Sequence, residues 1–166
     1  MVLIPLYMNL NLNIDIAQIG LIITIFPITC ALGSMCVGFL SDIWGRKTAL
    51  YITLSGSIIF SAILIFSVNW MILAITYGVI GFLQGGYATS GLAMMMDITN
   101  PKIGATQFSM FASLGNAGMT IGETVSGTLV TIFGFTGTFL YSAWFFGPAL
   151  LILYLIKIKN LKKKSI

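Results

Sequence analysis

Long apolar runs, separated by short polar turns, make up most of this chain. The breaks in hydrophobicity predict five complete membrane-crossing helices, over about residues 17–40, 48–66, 70–96, 104–133 and 137–157. The third and fourth exceed the roughly 20 residues that a bilayer requires, which indicates tilted or protruding helices. Residues 1–10 are apolar but too few to span, so we expect a helix stub whose beginning is absent.

The fold class follows from the length of these runs and from the composition. A transmembrane β-barrel requires short segments of alternating polarity, and this pattern is missing. The chain is 58% hydrophobic and 7% charged, with a mean hydropathy of +1.03, whereas a soluble domain carries about 25% charged residues. We therefore expect an all-α polytopic membrane protein, with one helical domain over residues 1–157 and a basic tail over 158–166.

The basic residues predict the orientation in the membrane. All eight occur in three places: Arg46 with Lys47, then Lys102, then five lysines after residue 156. The two intervening stretches, 48–101 and 103–156, each have 54 residues and no Lys or Arg. By the positive-inside rule we expect the basic loops and the C-terminus to be cytoplasmic, in a multi-pass protein of the cell membrane.

The residue types present and absent in the chain disfavour several classes of function. Cys30 and Cys36 lie in one apolar run of a chain without histidine, so we expect packed thiols, no metal site and no cofactor. With no nucleophile–base pair, an enzyme is not expected. The basic residues flank apolar spans, which is typical of membrane topology and not of nucleic-acid binding. The lysine tail predicts contact with the lipid bilayer.

The loop Gly-Phe-Leu-Ser-Asp-Ile-Trp-Gly-Arg-Lys, residues 38–47, resembles the signature loop of the major facilitator superfamily. Ile43 departs from the family pattern, which has a basic residue there. The residues that match the family pattern are Gly38, Asp42, Gly45, Arg46 and Lys47. The resemblance implies that they form a cytoplasmic gating loop.

The chemistry of these residue types suits a latch that holds one helical bundle against another and releases it when the bundles rock. A glycine such as Gly38 allows two helices to approach closely, and Gly45 permits a tight turn with positive φ. We expect Asp42 to end one helix and to accept hydrogen bonds from a neighbouring helix start. Arg46 can pair with a carboxylate or cap helix-end carbonyls. A merely solvated turn is the other interpretation, but positive-inside bias alone does not require this ordered pattern.

The resemblance covers the whole chain and implies one six-helix half of such a transporter, lacking most of its first helix. In this family the N-terminal half often carries an arginine in its fourth helix, and residues 70–96 contain no basic residue, so the resemblance implies the C-terminal half. Residues 104–118 resemble the muropeptide permease and acetyl-CoA transporter branch. The resemblance implies secondary active transport of a small solute by alternating access, driven by an ion gradient. A second half or another copy would be needed. The alternative is a non-transporting assembly subunit, or the inactive product of a truncated transporter gene.

One carboxyl group, that of Glu123, falls at membrane depth in the predicted spans, which makes it a candidate proton site. A structural interhelical hydrogen bond is the alternative. Gln84 in the third span is a candidate substrate contact or a helix-packing group. Four further polar residues share one predicted helix face with Glu123: Ser109, Ser113, Asn116 and Thr120. Of these, Asn116 and Thr120 are candidate contacts for a solute in a cavity.

Overall fold

The computed structural model describes residues 3–12, 14–64 and 69–155, except for the side chains of residues 3, 142, 143, 145 and 146. Every regular element in these ranges is helical, as the sequence predicts. The helices are α1 (Leu3–Leu12), α2 (Ile16–Trp44), α3 (Arg46–Leu64), α4 (Trp70–Ile98) and α5 (Gly104–Leu155), and a short 3-10 turn (Pro101–Ile103) precedes α5.

Among the described residues, four helices are long and apolar enough to cross a membrane. They are Ile16–Trp44, Arg46–Leu64, Trp70–Ile98 and Pro101–Tyr141, and the last of these includes the 3-10 turn. The stub expected at residues 1–10 is α1. The predicted tail, residues 158–166, lies outside the described residues.

The predicted fourth and fifth spans are two helical segments, labelled together as α5, that meet in a kink at Gly134. This residue has φ 68° and ψ −178°, a left-handed conformation that glycine adopts without a Cβ penalty. The rings of Phe133 and Tyr141 lie 4.8 Å apart, although eight residues of straight helix rise about 12 Å. The turn predicted over residues 133–137 is therefore a bend at one residue. We call residues 104–133 the first segment of α5 and residues 135–155 its second segment.

The core of the bundle is the seam between α2 and α4, which is built from small residues. A Cβ atom added to Gly33 would meet the backbone carbonyl of Phe82, and one added to Gly85 would meet that of Cys30. Ser34 Oγ donates a hydrogen bond to the Gly85 carbonyl at 3.2 Å. The small-residue spacing of Gly81 and Gly85 thus brings two backbones into contact, which is the way membrane helices without a hydrophobic driving force associate.

Two apolar clusters flank this seam. Towards one end, the Tyr7 ring of α1 contacts those of Phe135 and Phe139 in tilted and edge-to-face arrangements, with ring centres 5.4 and 5.6 Å apart. Leu73 and Met8 are fully buried there. Towards the other end, a smaller cluster of Leu50, Leu54 and Leu153 joins α3 to the second segment of α5. We call this second end the Arg46 end of the bundle, because Arg46 begins α3 there.

The first segment of α5 has far fewer neighbours than α4. In the most apolar 18-residue stretch of α4, 44% of the residues are buried. In the corresponding stretch of the span that begins at Pro101, 11% are buried. A Cβ atom added to Gly115, Gly118 or Gly122 would find no atom within 4 Å. This face of α5 is therefore not covered by any described part of the chain.

Candidate functional site

The residues of the signature loop sit at the Arg46 end, where α2 passes directly into α3. Helix α2 continues to Trp44, so Asp42 lies in its last turn and does not end it. Gly45 alone links the two helices, with φ 91° and ψ 145°, and its N–H donates to the Ser41 carbonyl at 3.0 Å. The positive φ expected for this glycine is observed, and it allows the chain to reverse within one residue.

The Arg46 side chain joins three helices. Its Nη1 donates to Asp42 Oδ1 in a short contact and to Ser41 Oγ at 2.8 Å, both on α2. Its Nε donates to Asp97 Oδ2 on α4 at 3.4 Å. A planar guanidinium presents several N–H donors in a fixed fork, which is why one arginine can hold two carboxylates and a hydroxyl. Arg46 thus pairs with carboxylates, as expected, and both of its acidic partners belong to this chain.

The ion pairs at Arg46 are partly exposed, which limits their contribution to stability. The side chains of Asp42 and Asp97 are 62% and 52% exposed, and that of Arg46 is 29% exposed. Exposed pairs contribute roughly 0–1 kcal/mol each, because water screens them and ordering long side chains costs entropy. The cluster therefore fixes the relative position of the helix ends more than it stabilises the fold.

Gly38 and Lys47 extend the cluster in two directions. A Cβ atom on Gly38 would lie 3.1 Å from Thr89 Cγ2, so this glycine keeps α2 close to α4 one turn below Asp42. Lys47 Nζ donates to the Tyr154 carbonyl at 3.3 Å and lies 5.8 Å from the centre of the Tyr51 ring. Lys47 thereby connects α3 to the end of α5.

Sequence reasoning missed Asp97 as a member of this cluster. The signal was available, because Asp97 is the acid that directly precedes the second basic loop. The positive-inside rule places that loop on the same side as Arg46. Only the packing of α3 on α4 shows that the two side chains meet.

The other candidate residues lie away from the charged cluster. Glu123, Asn116 and Thr120 are all exposed on the first segment of α5, where Thr120 Oγ1 donates back to the Asn116 carbonyl at 3.1 Å. They share one face, as expected from their spacing. Gln84 is half-buried on α4, one residue before the seam glycine Gly85. Near the start of α5, Ser109 and Ser113 line a shallow open groove.

The apolar helices are long enough to span a membrane and pack through glycines, and at one end a charged cluster surrounds the single-residue turn from α2 to α3. These features define a multi-pass integral membrane protein. The family model of the Major Facilitator Superfamily matches residues 1–165. The chain belongs to this family.

Similar curated proteins come from Rickettsia, and each carries the name "Putative transporter AmpG 1". The protein of R. prowazekii (strain Madrid E) is 35% identical over 91 residues, which is 55% of this chain and 20% of that protein. That of R. conorii (strain ATCC VR-613 / Malish 7) is 33% identical over 104 residues, 63% of this chain and 25% of that protein. The matched region thus spans a quarter or less of these curated relatives. No solved structure matches the chain.

Proposed function

We propose that this chain forms one half of a secondary active transporter that moves a small solute by alternating access. Membership of the Major Facilitator Superfamily and the transporter names of its relatives support a membrane transporter. In this proposal the second half is another polypeptide, further sequence or another copy of the chain. The two halves rock around a central solute site near the bilayer midplane.

The observation that carries this proposal is the uncovered polar face of α5. Asn116, Thr120 and Glu123 are exposed on a segment whose composition requires a membrane. Polar and ionisable side chains at membrane depth are costly against lipid and almost always face a bundle interior or a watery cavity. A second half that covers this face would place these side chains at the wall of a cavity between the halves.

Each candidate residue has a role in this proposal. Glu123 binds and releases a proton, which couples transport to an ion gradient. Asn116, Thr120 and Gln84 hydrogen-bond a polar solute. The resemblance of residues 104–118 to the muropeptide permease branch agrees with the AmpG names of the relatives, so muropeptides are the first solutes to test.

The charged cluster acts as a latch in the same cycle. Arg46, Asp42 and Asp97 all belong to this half, so closing against the second half would require Arg46 to exchange one of its two carboxylates for a partner on that half. Partly exposed pairs cost little to exchange, which suits a contact that opens once per cycle. Arg46, Lys47 and Lys102 belong to this end, so the positive-inside rule makes it cytoplasmic, together with the C-terminus, in a cell membrane.

Flux through reconstituted liposomes tests the proposal. The chain is reconstituted alone and together with a candidate second half, and uptake of labelled muropeptide is followed with and without an inward proton gradient. We expect gradient-driven uptake only with both halves, and its loss in Glu123→Gln. Asp15→Asn is the matched control, because Asp15 caps α2 away from the α5 face and asparagine caps equally well. Uptake that is unaffected by Glu123→Gln excludes the proton role.

The alternative is a membrane subunit that folds and assembles but moves no solute. The shallow burial of the first α5 segment and the short coverage of the relatives are compatible with it. It predicts no flux and no solute-induced stabilisation in any combination of halves.

A further inference from the structure

An apolar groove opens at the Arg46 end, where α3, α4 and the second segment of α5 meet. It has a volume of about 310 Å³, at the lower end of the range in which proteins hold small ligands. Leu50, Leu54 and Leu153 form its buried floor. The lining residues that are exposed at its mouth are Tyr87, Ile98 and Ile152.

Lys47 provides a positive charge near one end of this groove. Lys47 lies one turn before Leu50 on α3, and its Nζ contacts the carbonyl of Tyr154, the residue after Leu153. The nearest acid on α4, Asp97, is adjacent to Ile98 but is paired with Arg46. The groove therefore combines an apolar trough with a cationic rim.

We propose that this groove binds an acidic phospholipid. Its acyl chain would lie along Leu54 and Met94, and its phosphate would face Lys47. A helical bundle in a membrane is surrounded by phospholipids. An acyl chain in the apolar groove would place the anionic headgroup beside the lysine at the end of the groove. Each lysine near an anionic headgroup strengthens binding about fivefold. Because the groove walls come from three helices, the bound lipid holds α3, α4 and α5 together.

This inference requires only the membrane bundle and does not depend on transport. The purified chain in detergent is titrated with phosphatidylglycerol, or with phosphatidylcholine of the same acyl chains, and bound lipid is counted by native mass spectrometry. We expect phosphatidylglycerol to bind at least about fivefold more tightly than phosphatidylcholine. Lys47→Gln should weaken the acidic lipid about fivefold and leave phosphatidylcholine unchanged.

The acyl-chain part of the site is tested by filling the groove. Gly91 lines the groove, and a Cβ atom added there would meet nothing within 4 Å, so Gly91→Leu occupies the trough without a backbone clash. We expect it to weaken both lipids several-fold. Gly20→Leu is the matched control, because Gly20 has the same open surroundings on α2 and does not line the groove.

Four results would overturn the proposal. Equal affinities for the two lipids would remove the role of the headgroup, and unchanged binding in Gly91→Leu would remove that of the groove. A loss in Lys102→Gln as large as that in Lys47→Gln would mean diffuse attraction to the basic end. Lipid binding that falls as protein concentration rises would assign the groove to a second copy. Should Lys47→Gln lose helical content, the wild-type preference for phosphatidylglycerol and the comparison of Gly91→Leu with Gly20→Leu decide together.

Discussion

Replacing Gly85 by alanine probes the contact on which the bundle is built. The new methyl group would point at the backbone carbonyl of Cys30 across the α2–α4 seam, closer than the 3.0 Å that real Cβ contacts respect. A backbone carbonyl inside a helix cannot rotate away as a side chain can. The two helices must therefore separate along the part of the seam that holds Gly33 and Gly81 as well.

The expected loss of stability is the sum of two opposing effects. Inserting a methyl group into a well-packed site costs typically 1–3 kcal/mol, and the rigid neighbour places this site at the upper end, about 3 kcal/mol. Alanine favours the helix by about 1 kcal/mol over glycine. The net destabilisation is then about 2 kcal/mol, which lowers the thermal midpoint of a chain of this size by roughly 4–8 °C.

Thermal unfolding in mild detergent, followed by the loss of helical circular dichroism, measures this shift. Gly91→Ala is the matched control on the same helix, because a Cβ atom there meets nothing within 4 Å. It should gain the helix-propensity effect alone and be neutral or slightly more stable than the wild type. Gly33→Ala should resemble Gly85→Ala, and the double variant should lose less than the sum, because one opening of the seam accommodates both methyl groups.

The reasoning is refuted if Gly85→Ala unfolds at the wild-type temperature while Gly91→Ala behaves as expected. Equal destabilisation by both variants would also contradict it, because the effect would then not come from the seam.

Further predictions concern the helix ends and the bend in α5. Asp97→Asn should cost no more than about 1 kcal/mol, and the difference from the wild type should shrink at 1 M salt, as thermal unfolding at low and high salt can show. Gly45→Ala should cost about 1–2 kcal/mol because φ at this position is 91°; a wild-type midpoint in the same assay would contradict the positive φ. Gly134→Ala should likewise cost about 1–2 kcal/mol, because φ at the bend is 68°; an unchanged thermal midpoint would argue against the bend.

The membrane helices and their limits could largely be predicted from local sequence. Hydrophobic runs predicted α2 from residue 17, where the structure begins it at Ile16, and α4 from residue 70, where Trp70 begins it. The errors lie at the ends, since α2 continues through Asp42 to Trp44. A polar residue in the last turn of a membrane helix resembles a loop residue in composition, so hydropathy alone cannot place this boundary.

The candidate site was only partly predictable. The positive φ of Gly45 follows from a local pattern, and the structure has φ 91° there. The pairing of Arg46 with Asp97 joins residues 51 positions apart, so no local pattern contains it. The predicted roles of Glu123, Gln84, Asn116 and Thr120 stay predictions, because their chemistry depends on what covers the α5 face.

The sequence by itself determined that this protein resides in a membrane, that its fold is all-helical, and to which family it belongs. These properties depend on composition and on the order of residues over short distances, and a bilayer admits few other folds for such a chain. Tertiary structure alone decided which glycines meet a backbone and which meet nothing. Gly85 and Gly118 both sit in glycine-rich helix sequence, yet one lies against Cys30 and the other has open surroundings. The difference arises because helix packing depends on which neighbour is present, and a residue's own helix does not encode that.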